Sequence, residues 1–162
     1  MIIKHPMDKI NVKASVLDRL VDYEPAASHE SAQRRILNIR QIKAMVIRDL
    51  ENLLNTRRQI HYVPASYRQI HNSVFMYGLN DFTAENPKNP SVRRKLRQDV
   101  EKAIAKFEPR LKNVTVRLED DIAKGRNLRF RINGVLIVEP EIEPVTLDTY
   151  FDTNRGEYVI HG

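Results

Sequence analysis

The sequence contains no cysteine and no tryptophan in 162 residues. Without cysteine it forms neither a disulfide nor a thiolate metal site, which fits a reducing compartment. No apolar run approaches the ~20 residues that a membrane-spanning helix requires, and the first residues lack the apolar segment of a signal peptide. We therefore expect a soluble, cytoplasmic protein that does not insert directly into a membrane.

Patterns typical of catalysis and metal binding are missing as well. The five histidines are scattered, and none has the paired spacing of a zinc site. There is no phosphate-binding loop, dinucleotide fingerprint or nucleophile elbow. The sequence therefore predicts no catalytic residue, no metal site and no cofactor.

The charge of the chain is distributed unevenly. The net charge is +6, and 162 residues suffice for one domain with a substantial core. Residues 34–58 carry seven Lys or Arg against two acids and residues 88–112 nine against three, whereas residues 113–162 carry six against nine. The two basic segments predict either a polyanion or a partner with an acidic face.

Hydrophobic periodicity predicts two long amphipathic helices. The first covers residues 32–55, and the second starts at Pro90 with Asn89 as its N-cap. Their apolar stripes comprise Ile36, Ile39, Ile42, Val46, Leu50 and Leu53 in the first helix and Val92, Leu96, Val100, Ala103, Ile104 and Phe107 in the second. The basic face of the second helix is typical of a solvated surface.

A shorter amphipathic helix is predicted over residues 14–21, followed by a linker. Val16, Leu17 and Leu20 share its apolar face. Such a helix either lies in the groove of a partner or folds back onto its own domain, and the residues leave both alternatives open. We therefore divide the chain into an N-terminal docking segment with a linker, residues 1–31, and a single α+β domain, residues 32–162.

The segment between the two long helices, residues 59–89, is predicted to be irregular. It contains Pro64, Gly78 and several asparagines. Its apolar residues are expected to anchor it to the core; they are Phe75, Tyr77, Leu79 and Phe82. A loop of this length inside a compact domain is often functional.

Beyond Leu111 the apolar residues alternate with a period of two, which predicts strands. Residues 114–118 form the first. Asn133-Gly134 is a hairpin signal, but the apolar alternation continues through it, so one strand over residues 127–139 is favoured over a hairpin. Residues 139–144 are interpreted as an acidic connector.

A final hairpin is predicted from residues 146–152 and 157–161. The fold class is therefore α+β, with two long amphipathic helices packed on a small, mainly antiparallel C-terminal β-sheet and a short N-terminal helix on a linker.

The stretch from Phe107 to Leu111 joins the second helix to the strands. Glu108 places a negative charge at a helix C-terminus, where the macrodipole favours cations, and Pro109 pushes Glu108 toward extended geometry. As half of a glycosidase pair Glu108 is poorly placed, since Glu101 on the same helix face lies about 10.5 Å away, outside the usual separations. The residues alone leave a plain helix stop and a functional role open.

Several motifs in this order resemble the TssE family, the baseplate wedge subunits of type VI secretion systems. They are the run from Asp49 to Arg58, the loop from Ser73 to Phe82, Glu108-Pro109-Arg110-Leu111, the strand Leu128-Arg129-Phe130, the hairpin from Phe151 to Tyr158 and the short N-terminal helix. The resemblance covers nearly the whole chain. Asn80 stands where the family usually has proline.

The resemblance implies a non-enzymatic structural subunit that links the wedge to the contractile sheath and helps to nucleate sheath assembly. The implied partners are the wedge subunits TssF and TssG and the sheath subunits TssB and TssC, with TssK a further candidate, in a cytoplasmic baseplate docked at the inner-membrane complex. The alternatives are a lysozyme-like peptidoglycan hydrolase using Glu108 and a basic nucleic-acid-binding protein. Nucleic acid is not expected, because the loops lack stacking aromatics.

Three sets of residues become candidate sites. Glu108, Pro109, Arg110 and Leu111 are expected to bind a sheath or wedge neighbour, with Glu108 and Arg110 forming an exposed pair held rigid by Pro109. Val16, Leu17 and Leu20 are expected to bind the wedge. Tyr77, Gly78, Leu79, Asp81 and Phe82 are expected to form a structural loop. The resemblance also implies that the edge of the C-terminal sheet accepts strands from neighbouring subunits.

Overall fold

The computed structural model describes residues 39–59, 61–82, 85–86, 89–119, 129–138, 141–152 and 157–162. The predicted helix over residues 14–21, with Val16, Leu17 and Leu20, lies outside the described residues. So do residues 32–38, which the sequence predicts to be helical, and the domain division at residue 31.

The first long helix, α1, is described over Ile39–Asn55 and ends where the sequence predicts. Its buried residues follow the predicted stripe and are Ile42, Val46, Leu50, Leu53 and Leu54. Ile39 and Ile47 pack beside this stripe against the core. The helix is held by this apolar face, since such burial rather than intrinsic propensity stabilises most protein helices.

The second long helix, α3, spans Pro90–Phe107 and begins with the predicted cap. The Asn89 side chain accepts a hydrogen bond from the Ser91 N–H at 2.9 Å, and Pro90 occupies the first turn, where its missing N–H leaves no bond unmade. The predicted stripe is buried except for Phe107, which is partly buried against the core, and Asp99 is buried with it.

Between these helices lie a single turn of helix, α2 (Arg68–His71), and a 3-10 turn at Val74–Met76. Leu79 is buried, and Tyr77 and Phe82 pack against the core, as predicted. The expectation that Phe75 anchors this segment to the core is wrong. Phe75 is 40% exposed and stacks on His61 with ring centroids 6.4 Å apart, so it packs within the segment itself.

Four antiparallel strands form one sheet in the order β1-β2-β3-β4. Their bounds are Leu111–Leu118, Arg129–Val138, Glu141–Asp152 and Glu157–His161. Alternate side chains of the sheet face the two long helices and are buried, among them Phe130, Ile132, Leu136, Val145 and Leu147. The predicted α+β class, with two helices packed on a C-terminal sheet, is confirmed.

The structure resolves the Asn133-Gly134 ambiguity in favour of one strand, because β2 runs through both residues. Gly134 lies beside an irregularity in β1, where the register shifts between Lys112 and Thr115. Asn113, inside that irregularity, has a φ of 54°, and a Cβ on Gly134 would lie 3.3 Å from the Lys112 carbonyl oxygen. The glycine therefore accommodates a bulge in the neighbouring strand rather than a turn.

The prediction of an acidic connector is wrong over residues 141–144, which belong to β3 and pair with β2. Pro144 lies opposite Val135. On its other side, β4 pairs only with residues 148–152 of β3, so within the described part of the chain residues 141–147 have an open edge. A proline is tolerated there because no neighbouring strand requires its missing N–H.

Helix side chains occupy other parts of the sheet edges. The Glu101 carboxylate accepts a hydrogen bond from the Val116 N–H of β1 at 2.9 Å. The Glu51 carboxylate accepts one from the Ile160 N–H of β4 at 2.9 Å. The Asn55 amide accepts from the Tyr158 N–H at 2.7 Å and donates to the Tyr158 carbonyl at 2.9 Å. These bonds satisfy three outward backbone groups of β4 and one of β1, and they tie both long helices to the sheet.

One polar atom in the core lacks a partner, and replacing it should stabilise the protein. Thr149 is 2% exposed, and its hydroxyl makes no hydrogen bond within the described part of the chain. Thr149→Val keeps the shape and removes the buried hydroxyl, so the free energy of unfolding in urea should rise by about 1 kcal/mol. Thr115→Val, the same change at an exposed strand position, should shift it by no more than about 0.5 kcal/mol. Destabilisation by Thr149→Val would show that the hydroxyl is satisfied.

Candidate functional site

Glu108 ends α3 and is buried, with 3% of the residue exposed. Its backbone N–H donates to the Ile104 carbonyl at 2.9 Å, and its own carbonyl accepts from the Leu111 N–H at 3.1 Å. The prediction that Glu108 is exposed is therefore wrong. Its carboxylate points into the junction between the helices and the sheet rather than toward solvent.

Arg110 binds the Glu108 carboxylate through three of its donors. Its Nε donates to Glu108 Oε1 at 2.7 Å and its Nη2 to Oε2 at 2.5 Å. Its backbone N–H also donates to Oε1, at 3.2 Å. From the sequence, Glu108 and Arg110 are expected to point to one side and to contact a neighbouring subunit. In the structure the two side chains bind each other within the chain.

The guanidinium of Arg110 also reaches α1. Its Nη2 donates to Asp49 Oδ2 at 2.6 Å, while Arg48 Nη2 donates to Asp49 Oδ1 at 2.9 Å. One planar cation therefore joins the end of α3 to the middle of α1. We call Arg110 with Glu108 and Asp49 the arginine fork.

In the arginine fork, the two nearby carboxylates stabilise the positive charge of Arg110. Burial disfavours the charged form of Arg110, but hydrogen bonds to Glu108 and Asp49 and the negative charges of both outweigh burial and raise the pKa of Arg110. The Arg110 side chain is 24% exposed and that of Asp49 26%. The fork is thus largely shielded from water. In such a low-dielectric environment ion pairs gain strength and unpaired charges are costly.

The residues around the fork position the first strand. Leu111, 2% exposed, begins β1 and pairs with Leu136. The Arg110 carbonyl accepts a hydrogen bond from the Ile137 N–H of β2 at 2.9 Å. Pro109 is exposed and lacks an N–H that could continue the helix. The motif therefore converts the end of α3 directly into the sheet.

The loop that contains Gly78 is fastened to the residues that follow α1. Leu79 bridges Arg57 in parallel fashion, with the Leu79 N–H donating to the Thr56 carbonyl at 2.9 Å and the Arg58 N–H to the Leu79 carbonyl at 2.7 Å. Gly78 has a φ of +96°, and a Cβ there would lie 2.3 Å from the Thr56 carbonyl oxygen. Only glycine fits this contact.

Asp99 on α3 holds the same loop from the other side. It accepts a hydrogen bond from Arg58 Nη2 at 3.1 Å and one from the Asn80 backbone N–H at 2.8 Å. The Arg58 guanidinium also donates to the Gly78 carbonyl, at 2.8 Å from Nη2. Proline, the residue usual at the position of Asn80 in the family that the sequence resembles, could not donate this hydrogen bond.

Other members of the predicted loop also have defined contacts. Asp81 pairs with Arg57 at 3.2 Å. Tyr77 packs edge-on against Phe107 with ring centroids 5.1 Å apart. Burial raises the pKa of Tyr77, and the negative charges of Asp49 and Glu108 raise it further. Tyr77 therefore lies between the loop and the arginine fork and connects the two.

Sequence reasoning missed three residues of these networks: Asp49, Arg58 and Asp99. A signal for two of them exists. Asp99 lies three residues after Leu96 and four before Ala103, inside the apolar stripe of α3, and Asp49 flanks the stripe of α1 between Val46 and Leu53. An acid within or beside a buried stripe requires a partner, although its identity cannot be read from the stripe.

The arrangement does not resemble a hydrolytic pair. Both oxygens of Glu108 are bound by Arg110, and the neighbouring carboxylate, Asp49, shares the same cation. Within the described ranges no group of acids and histidines is arranged to hold a metal ion. None of the described helices is long and apolar enough to cross a membrane.

Comparison with known families decides the assignment. The family model described as baseplate wedge protein gp25 matches residues 40–141, more than half of the chain. The chain belongs to this family. The match confirms the baseplate wedge resemblance carried by the sequence motifs, and the arginine fork and the Gly78 loop both lie inside the matched region of this wedge protein.

A structural comparison agrees at the level of the fold. A chain in the solved baseplate complex from the type VI secretion system is 20% identical to this wedge protein, with a TM-score of 0.50. The alignment covers 70% of this chain and 97% of that chain. No curated protein sequence matched.

The first prediction from the site concerns Gly78. Gly78→Ala should lower the free energy of unfolding by at least about 2 kcal/mol, because alanine is strained at this φ and collides with the Thr56 carbonyl. Chemical denaturation of the purified protein measures the change. Asn80→Ala is the matched control, since it keeps the backbone N–H that binds Asp99 and should change stability by less than about 0.5 kcal/mol. Equal effects of the two substitutions would argue against a tight contact at Gly78.

The second prediction concerns the arginine fork. Arg110→Ala leaves Glu108 buried without its cation and should lower the free energy of unfolding by about 3 kcal/mol. Arg48→Ala, which removes the more exposed arginine on Asp49, should cost no more than about 1 kcal/mol. The double variant Glu108→Ala/Arg110→Ala should cost less than the sum of the single variants, because no unpaired charge remains. Additive single effects would show that the two side chains are not coupled.

Proposed function

We propose that this wedge protein is the TssE-type subunit of a type VI secretion baseplate, with a structural and non-enzymatic role. The observation that carries the proposal is the wedge-family match over residues 40–141. The fold shared with a chain of a type VI baseplate complex supports it. The proposed location is the cytoplasmic baseplate, docked at the inner-membrane complex.

The proposed partners are the wedge subunits TssF and TssG and the sheath subunits TssB and TssC, with TssK as a further candidate. In this proposal the protein links the wedge to the sheath and helps to nucleate sheath assembly. Val16, Leu17 and Leu20 are proposed to dock on the wedge, which leaves the sheet free for the sheath.

The open edge of β3 is the proposed attachment point for a sheath strand. Tyr158 and Ile160 of β4 direct their amides to α1, away from β3. The alternate residues of β4, at positions 157, 159 and 161, therefore direct their backbone groups to residues 152, 150 and 148 of β3. By alternation, residues 142, 144 and 146 direct their backbone groups to the unpaired side. Ile142 is 69% exposed beside this edge. An added strand would find two amides, three carbonyls and an apolar side chain there.

The arginine fork is proposed to support partner binding mainly by fixing this geometry. Glu108 and Leu111 are buried and hold the junction of α3 with the sheet. Pro109 and the exposed part of Arg110 are the portions of the motif that a neighbouring subunit could touch. Loss of Glu108 or Arg110 would therefore weaken assembly through displacement of the sheet as well as through lost contacts.

Copurification from cells that assemble the whole secretion system tests this function. The tagged wild-type chain should carry TssF, TssG and sheath subunits with it. Thr146→Pro removes an amide on the open edge without disturbing the pairing of β3 with β2, and it should release the sheath subunits while retaining the wedge subunits. Thr146→Ala is the matched control, because it loses the same side-chain contact to Asn133 but keeps the amide.

Two results would contradict the proposal. Absence of wedge and sheath subunits from the wild-type preparation would remove the baseplate assignment. Normal sheath recovery with a folded Thr146→Pro protein would place the sheath contact elsewhere. Circular dichroism of both variants establishes that each is folded.

A further inference from the structure

Three lysines form a line along one flank of α3. Lys95, Lys102 and Lys106 are separated by seven and four residues and all are exposed. These spacings place them on the same side of a helix, over a length of about 16 Å at 1.5 Å per residue. We call them the lysine stripe.

Within the described part of the chain, the three lysines form no ion pair. Arg57, Arg58 and Arg110 each form ion pairs with carboxylates, whereas no ion pair involves any of the three lysines. Lys106 instead lies over the Phe107 ring, 5.3 Å from its centroid. Burial and the positive charge of Arg58 lower the pKa of Lys106. The stripe therefore presents three exposed positive charges that no ion pair within the described part of the chain engages.

A cleft of about 370 Å³ lies beside the lysine stripe, so this surface is concave rather than flat. Lys95 and Lys102 line it together with the polar side chains of Asn80 and Gln98 and the ring of Phe82. The loop on one side of the cleft is bound to α3, because the Asn80 N–H donates a hydrogen bond to Asp99. A partner side chain can enter this cleft while its neighbours reach the lysines.

Acidic residues in the same cleft decide which kind of partner fits. Asp81 and Asp99 are paired with Arg57 and Arg58, and Glu85 also lines the cleft. These carboxylates would repel the uniformly negative backbone of a nucleic acid. A protein surface, on which acids stand beside neutral and basic groups, can match both signs.

We propose that the lysine stripe and its cleft bind an acidic face of another protein. The identity of that protein as a neighbouring baseplate subunit rests on the proposed function. The surface lies on α3, whereas the proposed sheath attachment lies on the edge of β3, so the two contacts involve different elements of the fold. The stripe thereby gives a role to three of the six basic residues of the second long helix.

Zero-length cross-linking tests the proposal. The complex captured by the tagged full-length chain is treated with a carbodiimide, which joins lysine amines to carboxylates in direct contact, and the links are mapped by mass spectrometry. Links from Lys95, Lys102 or Lys106 to Asp or Glu of another protein are expected. Lysine substitutions at the linked partner carboxylates should restore binding to a stripe in which the lysines have been replaced by glutamate.

Reversing the charges of the three lysines measures how much the stripe contributes to binding. Lys95→Glu/Lys102→Glu/Lys106→Glu should weaken binding of the cross-linked partner by roughly 10- to 100-fold at about 0.15 M ionic strength, since each exposed pair contributes up to several-fold and like charges then repel. The matched control Arg40→Glu/Lys112→Glu/Arg117→Glu changes the net charge equally at exposed positions and should alter binding by less than about 3-fold.

Several results would overturn the proposal. Links confined to carboxylates of this chain, including a second copy distinguished by isotope labelling, would show that the chain covers its own stripe. An assembled complex without links from the stripe would place the partner elsewhere. Selective loss of binding to a labelled DNA duplex in the stripe variant would identify nucleic acid instead.

Links to a protein outside the baseplate would support the acidic-face proposal while contradicting the proposed function.

Discussion

The geometry of this wedge protein depends on a single guanidinium shared by two carboxylates. Arg110 binds Glu108 in its own turn and Asp49 on α1, so it fixes where α3 stops, where β1 starts and how α1 lies relative to both. A lysine could supply the charge, but its point charge would not hold two carboxylates at defined angles as a planar fork does. Replacing a whole buried ion pair by apolar residues is often neutral for stability, whereas removing one partner is costly.

The same physical solution recurs at the other end of the helices. Arg58 joins the carbonyl of Gly78 to the carboxylate of Asp99, and Glu51 and Glu101 accept backbone hydrogens from the sheet. Polar side chains on the helices thus satisfy backbone groups that would otherwise lie buried or exposed at an edge. The apolar core holds the layers together, while these bonds set their relative positions.

Local patterns in the sequence correctly predicted most of the secondary structure. Helical periodicity and the Asn89-Pro90 cap located α3, and uninterrupted alternation identified β2 as one strand despite its Asn-Gly pair. Pro144 misled the interpretation, because its effect depends on whether a neighbouring strand needs its N–H, and that is decided by the length of β4. The sequence likewise did not show that Glu108 is buried, because its exposure is set by tertiary packing and the fork includes Asp49, 61 residues from Arg110. Contacts at that separation leave no periodic signal.

The edges of the sheet are unequally protected, and this limits how many further strands the sheet can bind. Glu101 binds an outward amide of β1, Asn55 and Glu51 bind outward groups of β4, and among the described residues a stretch of β3 has no strand on the side away from β2. A sheet exposed along both edges could propagate without limit, as fibrous aggregates do. In the proposed assembly, a strand bound at β3 would occupy residues 142–146, so this edge would accept one strand and then be filled.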